Sequence, residues 1–137
     1  MKNKANIQFI DFKVPESHFS FKAKGNYEIN LAFNVKGEVI SAKSLFVLKL
    51  GIKVQDRNEL FFIDVHTKST FSYDKTVDLS EYLEGLFILN APAIVFPYLR
   101  AYITNITTQS GMTPIILPTL NLTNLGENLK QKINVLE

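Results

Sequence analysis

The amino-acid sequence predicts an α+β fold, in which a long helix and a shorter C-terminal helix cover one face of a four-stranded antiparallel sheet. In the first half of the chain, apolar side chains recur at every second position, which is typical of strands with one buried face. Beyond Tyr73 the apolar residues follow helical spacing, and strands followed by helices indicate separate α and β layers. A chain of 137 residues is long enough for one core, so we predict a single domain over residues 1–137.

The strands are predicted from this alternation and from the turn signals between them. Ile7–Val14 and Phe19–Ala23 form either one bent strand or two short ones, because Pro15–Glu16 interrupts the pattern. Three further strands are predicted at Tyr27–Lys36, Leu45–Gln55 and Leu60–Phe71. Lys36–Glu38 is interpreted as a turn or a bulge. The polar connection Asp56–Glu59 has hairpin length, which favours antiparallel pairing and a meander-like sheet.

The long helix is predicted to begin at Asn90, its expected N-cap, and to end near Ser110. Gly111 can adopt the left-handed conformation that closes a helix. Because proline lacks an N–H group, Pro92 fits the first helical turn, whereas Pro97 lies deep enough to predict a kink.

Two shorter helical segments complete the prediction. One turn of helix is expected from Asp78 to Leu83. Asn124 and Glu127 have the spacing of a capping box, which predicts that the last helix begins there. Its apolar side is predicted to carry Leu125, Leu129, Ile133 and Leu136.

Composition excludes several classes of function. A formal net charge of +2, without a basic run interleaved with aromatic residues, does not favour nucleic-acid binding. The absence of cysteine excludes disulfides and fits a reducing compartment. Ile7–Val14 alternates with polar residues and is not a signal peptide, and Leu86–Phe96 is shorter than the roughly 20 residues of a membrane span. We therefore expect a cytoplasmic protein that does not insert into a membrane.

The residues that carry reaction chemistry form no recognisable constellation. His18 and His66 lie in separate predicted strands without a close carboxylate cluster, and Asp11, Asp64 and Asp74 are not ordered around a nucleophile. No phosphate-binding loop or dinucleotide fingerprint is present. The sequence predicts no catalytic residues, no metal site and no cofactor, and we do not expect an enzyme.

Apolar side chains exceed what one subunit with a single buried sheet face needs. Phe61 and Phe62 are adjacent in a strand, so they must point to opposite faces, as must Leu45 and Phe46. The long helix is apolar over more than one stripe, with Ile94, Val95, Phe96, Tyr98, Leu99, Tyr102, Ile103 and Ile106. Either the core is simply well filled, with some scattered surface residues, or the excess forms an oligomer interface and a binding groove.

Three segments resemble the hallmark region of the SecB family of export chaperones. They are Asn90–Ala93, Phe96–Pro97–Tyr98 with Arg100, and the later Leu117–Leu122. The resemblance implies a homotetramer built as a dimer of dimers, with helices sandwiched between sheets. It also implies an ATP-independent holdase that binds unfolded polypeptides in long apolar grooves, without nucleotide or metal.

The resemblance also assigns residues to expected roles. It places Ile29, Leu31 and Phe33 on a groove wall, with Leu125 and Leu129 beside it, although all five could equally be plain core. It implies that the long helix forms the oligomer interface, through Ile94, Phe96, Tyr98, Tyr102 and Ile106. Phe62 and Asp64 match part of the contact with the translocation motor SecA.

The chain departs from the family pattern where SecA would bind. His18 and Lys22 stand where the family carries acidic residues, the net charge is not acidic, and the sequence ends at Glu137 without the longer motor-binding tail. The connection between Ala23 and Tyr27 is short. SecA is therefore a doubtful partner. Two alternatives stay open: a SecB-like chaperone of a toxin–antitoxin system, and a structural or ligand-binding oligomer with this fold.

Overall fold

A computed structural model describes residues 4–118 and 121–136 as an α+β fold with one sheet. The strands are β1 (Ile7–Phe21), β2 (Ile29–Ile40), β3 (Leu45–Asp56), β4 (Phe61–Tyr73) and β5 (Ile133–Leu136). The helices are α1 (Leu79–Glu84), α2 (Leu86–Gln109) and α3 (Leu122–Lys130), with a 3-10 turn at Ser41–Lys43. The α+β prediction is confirmed, but the sheet has five strands rather than four, in the order β1-β4-β3-β2-β5.

The fifth strand replaces the end of the predicted last helix. α3 ends at Lys130, and Ile133 and Leu136 lie in β5, parallel to β2, so their assignment to the helix was wrong. Ile133 and Val135 are β-branched and stand at alternate positions. This pattern favours a strand here, because the edge of β2 is available for pairing. The predicted turn at Lys36–Glu38 was also wrong, because Gly37 continues β2 and its N–H donates to the Lys132 carbonyl at 3.0 Å.

β1 is one long strand with irregular pairing where the sequence predicted an interruption. It pairs antiparallel with β4, and its register shifts between Phe9 and Asp11 and between Lys13 and Glu16. The second shift coincides with Pro15, which cannot donate a ladder hydrogen bond. Because β4 and β3 lie between β1 and β2 in the sheet, the connection from β1 to β2 crosses the hairpin that β3 and β4 form. The sheet is therefore not a simple meander.

Asp56 secures this crossing. Its carboxylate is buried and accepts hydrogen bonds from the Glu28 N–H at 2.9 Å and the Leu60 N–H at 3.1 Å. The Lys22 N–H also donates to the Leu60 carbonyl, at 2.8 Å. The predicted hairpin is present, and the same aspartate ties it to the start of β2.

α2 begins at Leu86, four residues before the predicted N-cap, so Asn90 is an exposed residue inside the helix. Both Pro92 and Pro97 lie within the helix, and Gly111 adopts the predicted left-handed conformation with φ of 88°. A proline removes the donor for the carbonyl four residues earlier. Pro92 therefore leaves the Ile88 carbonyl without its helical partner.

α3 begins before the predicted capping box. Its N-cap is Asn121, whose side chain accepts a hydrogen bond from the Thr123 N–H at 3.1 Å, so the assignment to Asn124 was wrong. Asn121 sits within the hallmark segment Leu117–Leu122, of which Thr119 and Leu120 lie outside the described residues. Asparagine is among the preferred N-cap residues, because its side chain accepts a hydrogen bond from a free N–H group of the first helical turn. Both Asn121 and Asn124 meet this description, so the sequence alone does not select between them.

The helices pack on one face of the sheet. Alternate residues of β3 (Phe46, Leu48, Leu50, Ile52 and Val54) form one cluster with α2 side chains such as Val95, Leu99 and Ile103. Phe46 and Phe87 stack with ring centroids 4.1 Å apart. The buried Tyr82 hydroxyl donates to the Asn6 carbonyl at 3.0 Å and accepts from the Asp74 N–H at 3.0 Å, which anchors α1 to the start of β1 and the adjacent end of β4.

α2 is long and apolar enough to cross a membrane by length and composition, which the shorter uninterrupted run in the sequence did not predict. The core helix of a soluble protein meets the same criteria, and 44% of this stretch is buried inside the fold. Its hydrophobicity is thus explained in part by packing on the sheet.

Gly126 allows α3 to approach α2 closely. A Cβ atom added at Gly126 would overlap the Ile88 carbonyl oxygen, which has no helical hydrogen-bond donor because residue 92 is a proline. We expect Gly126→Ala to lower the free energy of unfolding by about 1–3 kcal/mol, because a backbone atom cannot yield as a side chain can. Asn128→Ala, at an exposed position of the same helix, is the matched control. Equal stability of the two variants in urea unfolding would contradict this account of the contact.

Candidate polypeptide-binding surface

The edge of β2 is only half covered. Among the described strands, β5 pairs with β2 at Gly37–Ile40, whereas Ile29–Lys36 has no strand partner on that side. An uncovered edge presents backbone N–H and C=O groups that can pair with another extended chain. We call Ile29–Lys36 the open edge.

Apolar side chains lie beside the open edge on the helix-facing side of the sheet. Ile29 is 43% exposed, Leu31 and Phe33 are half-buried, and Val35 is buried. Exposure therefore falls steadily from the start of β2 toward the core. A bound extended segment would find backbone partners and an apolar strip at the same place.

Leu125 and Leu129 occupy a different environment from the three β2 residues predicted beside them. Leu125 is 7% exposed and Leu129 is fully buried, both within the core cluster. Direct contact between these leucines and a bound chain would require α3 to move. In the described fold they belong to the core, and their role in a groove stays a prediction.

α2 presents an uncharged face to solvent. Of the predicted interface residues, Tyr98 is 48% exposed, Phe96 is buried, and Ile94, Tyr102 and Ile106 are half-buried. Leu89, one of the other exposed positions of the helix, is 51% exposed. The helix carries one charged residue, Arg100, whose guanidinium lies 5.0 Å from the centroid of the Phe96 ring and donates to the Pro118 carbonyl at 3.4 Å.

The helix-facing side of β1 extends this apolar surface. Tyr98 packs between Phe9 and Phe12, with ring centroids 5.1 and 5.6 Å apart. β1 is the other edge of the sheet and has no second strand partner among the described residues. An apolar patch of this kind is typical of a surface that binds another molecule.

Phe62 and Asp64 lie on the opposite face of the sheet. They share that face of β4 with His66, and all three are partly buried. Asp64 pairs in register with His18 of β1. These residues are therefore separate from the apolar strip and from α2.

Each histidine has a single carboxylate close by, which the sequence analysis did not identify. His18 Nε2 lies 2.8 Å from Glu16 Oε1, and His66 Nε2 lies 3.2 Å from Asp64 Oδ1. Residues two apart in a strand point to the same side, a proximity that the histidine positions alone did not reveal. Within residues 4–118 and 121–136, no group of three or more histidine, aspartate or glutamate side chains has a geometry suited to a metal ion.

Residues 3–132 match a family model described as preprotein translocase subunit SecB. Protein-export protein SecB of Anaplasma phagocytophilum is 24% identical over 136 residues, which cover 88% of this chain and 86% of that protein. The SecB of Nitrosomonas eutropha is 25% identical over 137 residues, with 96% and 84% covered. An uncharacterized protein of Methanocaldococcus jannaschii is 26% identical over 128 residues, with 92% and 79% covered.

The fold is similar to that of a SecB-like chaperone from Mycobacterium tuberculosis, described in complex with a ChAD peptide from an antitoxin. The two share a TM-score of 0.69 and 18% sequence identity, over 84% of this chain and 88% of that chain. This likeness shows the fold, and the match of the family model covers nearly the whole sequence. The chain belongs to the SecB family.

Proposed function

We propose that the protein is an ATP-independent holdase of the cytoplasm that binds unfolded polypeptides along the open edge of β2. The observation that carries the proposal is the coincidence of backbone at Ile29–Lys36 that has no strand partner on its outer side with the exposed side chain of Ile29 and the half-buried side chains of Leu31 and Phe33. The peptide described in the complex of the mycobacterial SecB-like chaperone supports a polypeptide as the ligand.

The physical chemistry of this surface favours unfolded chains without selecting one sequence. Backbone hydrogen bonds to an edge strand do not depend on the side chains of the added segment. Apolar contact is non-directional, so aliphatic and aromatic residues of many clients can occupy the strip. Folded proteins are excluded, because they have already paired their backbone and buried their apolar side chains.

The proposal includes a homo-oligomer, built as a dimer of dimers. The β1 edge and the uncharged face of α2, with Leu89 and Tyr98 about half exposed, supply the surface for subunit contacts. Several copies of the open edge on one particle would hold one long chain at several points, and such avidity strengthens binding without new contacts. Solution mass measured by light scattering tests this part, and a monomer at micromolar concentration would refute it.

A chaperone dedicated to an antitoxin is the second candidate function, since the structural neighbour is described with an antitoxin peptide. The two candidates differ in breadth: a general holdase binds several unrelated unfolded proteins, whereas a dedicated chaperone binds one segment. We do not include delivery to SecA, because His18 and Lys22 stand at the positions where the resemblance implies acidic contacts.

Catalysis is not part of the proposal. Side chains of the His18–Glu16 pair are 62% and 59% exposed on an open sheet face, where no enclosed site excludes water. General acid–base chemistry gains most from groups held in a concave, shielded site beside a substrate. His66 lines a concavity on the outer face of the sheet, but its side chain is 45% exposed to water.

We expect Ile29→Asn to weaken binding of an unfolded fluorescent client about tenfold, because partial burial of one isoleucine is worth ~1.4 kcal/mol. The variant should fold normally, since Ile29 is 43% exposed. Leu136→Asn is the matched control, because Leu136 is 46% exposed but lies in β5, away from the open edge. Equal loss of binding and of aggregation suppression in both variants would argue against the open edge as the client site.

His18 provides a prediction that depends on pH. The hydrogen bond with Glu16 raises the pKa of His18 above its ordinary value of 6.5, opposed by desolvation and assisted by the charges of Glu16 and Asp64. Because the folded-state pKa is raised, the pair stabilises the fold fully below the unfolded-state pKa, and this contribution is lost as pH rises through the folded value.

We therefore expect the imidazole resonances of His18 to titrate above pH 6.5 in NMR, and Glu16→Gln to lower that midpoint. The same hydrogen bond and the charge of His18 lower the pKa of Glu16. Lys24→Gln, in the exposed connection after β1, serves as a charge control that leaves the His18 midpoint unchanged. A His18 midpoint that ignores the loss of Glu16 would show that the pair does not persist in solution.

A further inference from the structure

Four lysines form one row across the face of the sheet that the helices leave open. Lys13 of β1 pairs in register with Lys68 of β4, Lys68 with Lys49 of β3, and Lys49 with Lys36 of β2. Directly paired residues share a face, and neighbouring strands lie about 4.8 Å apart, so the row spans about 14 Å. We call these four residues the lysine row.

The lysine row carries more positive charge than its neighbours neutralise. Lys49 donates to Glu38 at 2.7 Å, and Lys13 lies 3.6 Å from Asp11. Lys36 and Lys68 are exposed and form no ion pair with a described residue. Like charges directly opposite in a sheet destabilise it, so the folded chain tolerates an unfavourable arrangement here.

Glu38 reports the same excess of positive charge. The hydrogen bond from Lys49 lowers its pKa most, and the charges of Lys49, Lys68 and Lys36 lower it further. Three ammonium groups thus act on one carboxylate.

A shallow concavity of about 410 Å³ lies along the lysine row. Its lining includes Lys36, Lys49, Lys68 and His66 around Gly51. Gly51 is directly opposite His66 in the sheet, and a Cβ at this position would lie 3.2 Å from His66 Nδ1. The His66 ring thus lies next to Gly51, where a side chain would crowd it, and Glu16 is the acidic residue of the lining.

We propose that the lysine row is a docking site for an acidic, extended segment of a partner polypeptide. Carboxylates spaced along such a segment would meet Lys36 and Lys68, which lack internal partners, and would relieve the repulsion along the row. This site is separate from the apolar strip of Ile29, Leu31 and Phe33, because the two lie on opposite faces of the sheet; Lys36 belongs to both the lysine row and the open edge.

The surroundings favour a polypeptide over a nucleic acid. Acidic residues flank the row at Asp11, Glu16 and Glu38, and they would repel a continuous phosphate backbone but not discrete carboxylates between neutral residues. Bases bound to single-strand sites stack on aromatic rings. Among the described residues of this face, Phe62 lies six positions from Lys68 along β4, about 20 Å away.

A second copy of this chain is a poorer occupant than an acidic partner. Two copies meeting through this face would bring two lysine rows together, which adds to the repulsion that one row already contains. Charge complementarity therefore points to a partner of opposite sign.

The test uses fluorescence anisotropy with a labelled peptide of alternating Glu and Ser, and an otherwise identical Gln–Ser peptide. We expect the full-length protein to bind the acidic peptide at low ionic strength, to lose it at high salt and to ignore the neutral one. The double variant Lys36→Gln/Lys68→Gln should bind the acidic peptide about tenfold more weakly. It should also melt at a higher temperature than the parent protein, because the repulsion is relieved.

The control variant Lys24→Gln/Lys75→Gln removes the same net charge from exposed positions outside the row. It should leave peptide binding nearly unchanged. Neither this control nor the single variant Lys68→Gln, which lies in β4 outside the open edge, should alter the suppression of aggregation. Equal weakening by the two double variants would overturn the proposal, since binding would then follow net charge alone. Preference for a single-stranded oligonucleotide, or loss of self-association in the row variant, would overturn it in favour of a nucleic acid or a second copy.

Discussion

The burial of one face of the sheet beneath α2 is the constraint on which the remaining structure depends. β3 lies in the middle of the sheet and places Phe46, Leu48 and Leu50 on that face, where the aromatic and aliphatic side chains of α2 meet them. Because α2 covers the centre, the helix-facing residues at the rims of the sheet are only partly covered. Both the apolar strip of β2 and the aromatic residues of β1 follow from this coverage.

Under the two proposals, the sheet separates two kinds of recognition. On the helix-facing side, contact is apolar and the open edge offers backbone hydrogen bonds, which suits ligands defined by their unfolded state. On the outer side, antiparallel register places charged residues in rows, which suits ligands defined by their charge. A single layer of backbone thus supports two surfaces whose specificities are chemically unrelated, and substitutions on one need not disturb the other.

Local patterns were sufficient to predict those elements whose identity is decided within a few residues. Period-two alternation identified β2, β3 and β4, the polar residues after Asp56 identified the hairpin, and Gly111 identified the end of α2. The family assignment followed from the proline-marked segment of that helix. The apolar excess was also readable from the sequence, since adjacent Phe61 and Phe62 must face opposite sides of a strand.

Features decided by distant partners were not predictable in this way. Leu136 fits a helical interval as well as a strand, and only the available edge of β2 decides between them. Gly37 fits a turn by its local sequence. In the structure it is a strand residue that leaves room for the Phe46 ring, which would lie 2.8 Å from a Cβ atom at this position. Among the candidate site residues, the burial of Leu129 and the proximity of His18 to Glu16 likewise depend on packing and register rather than on spacing.

The pairing of β1 with β4 alone has a consequence for synthesis of the protein. Phe61 follows its register partner Phe21 by 40 positions in the sequence. β1 is therefore synthesised well before β4, the strand with which it pairs. Meanwhile its phenylalanines stay unpaired in the growing chain. During synthesis, the protein therefore itself exposes the kind of apolar extended segment that we propose it binds in other chains.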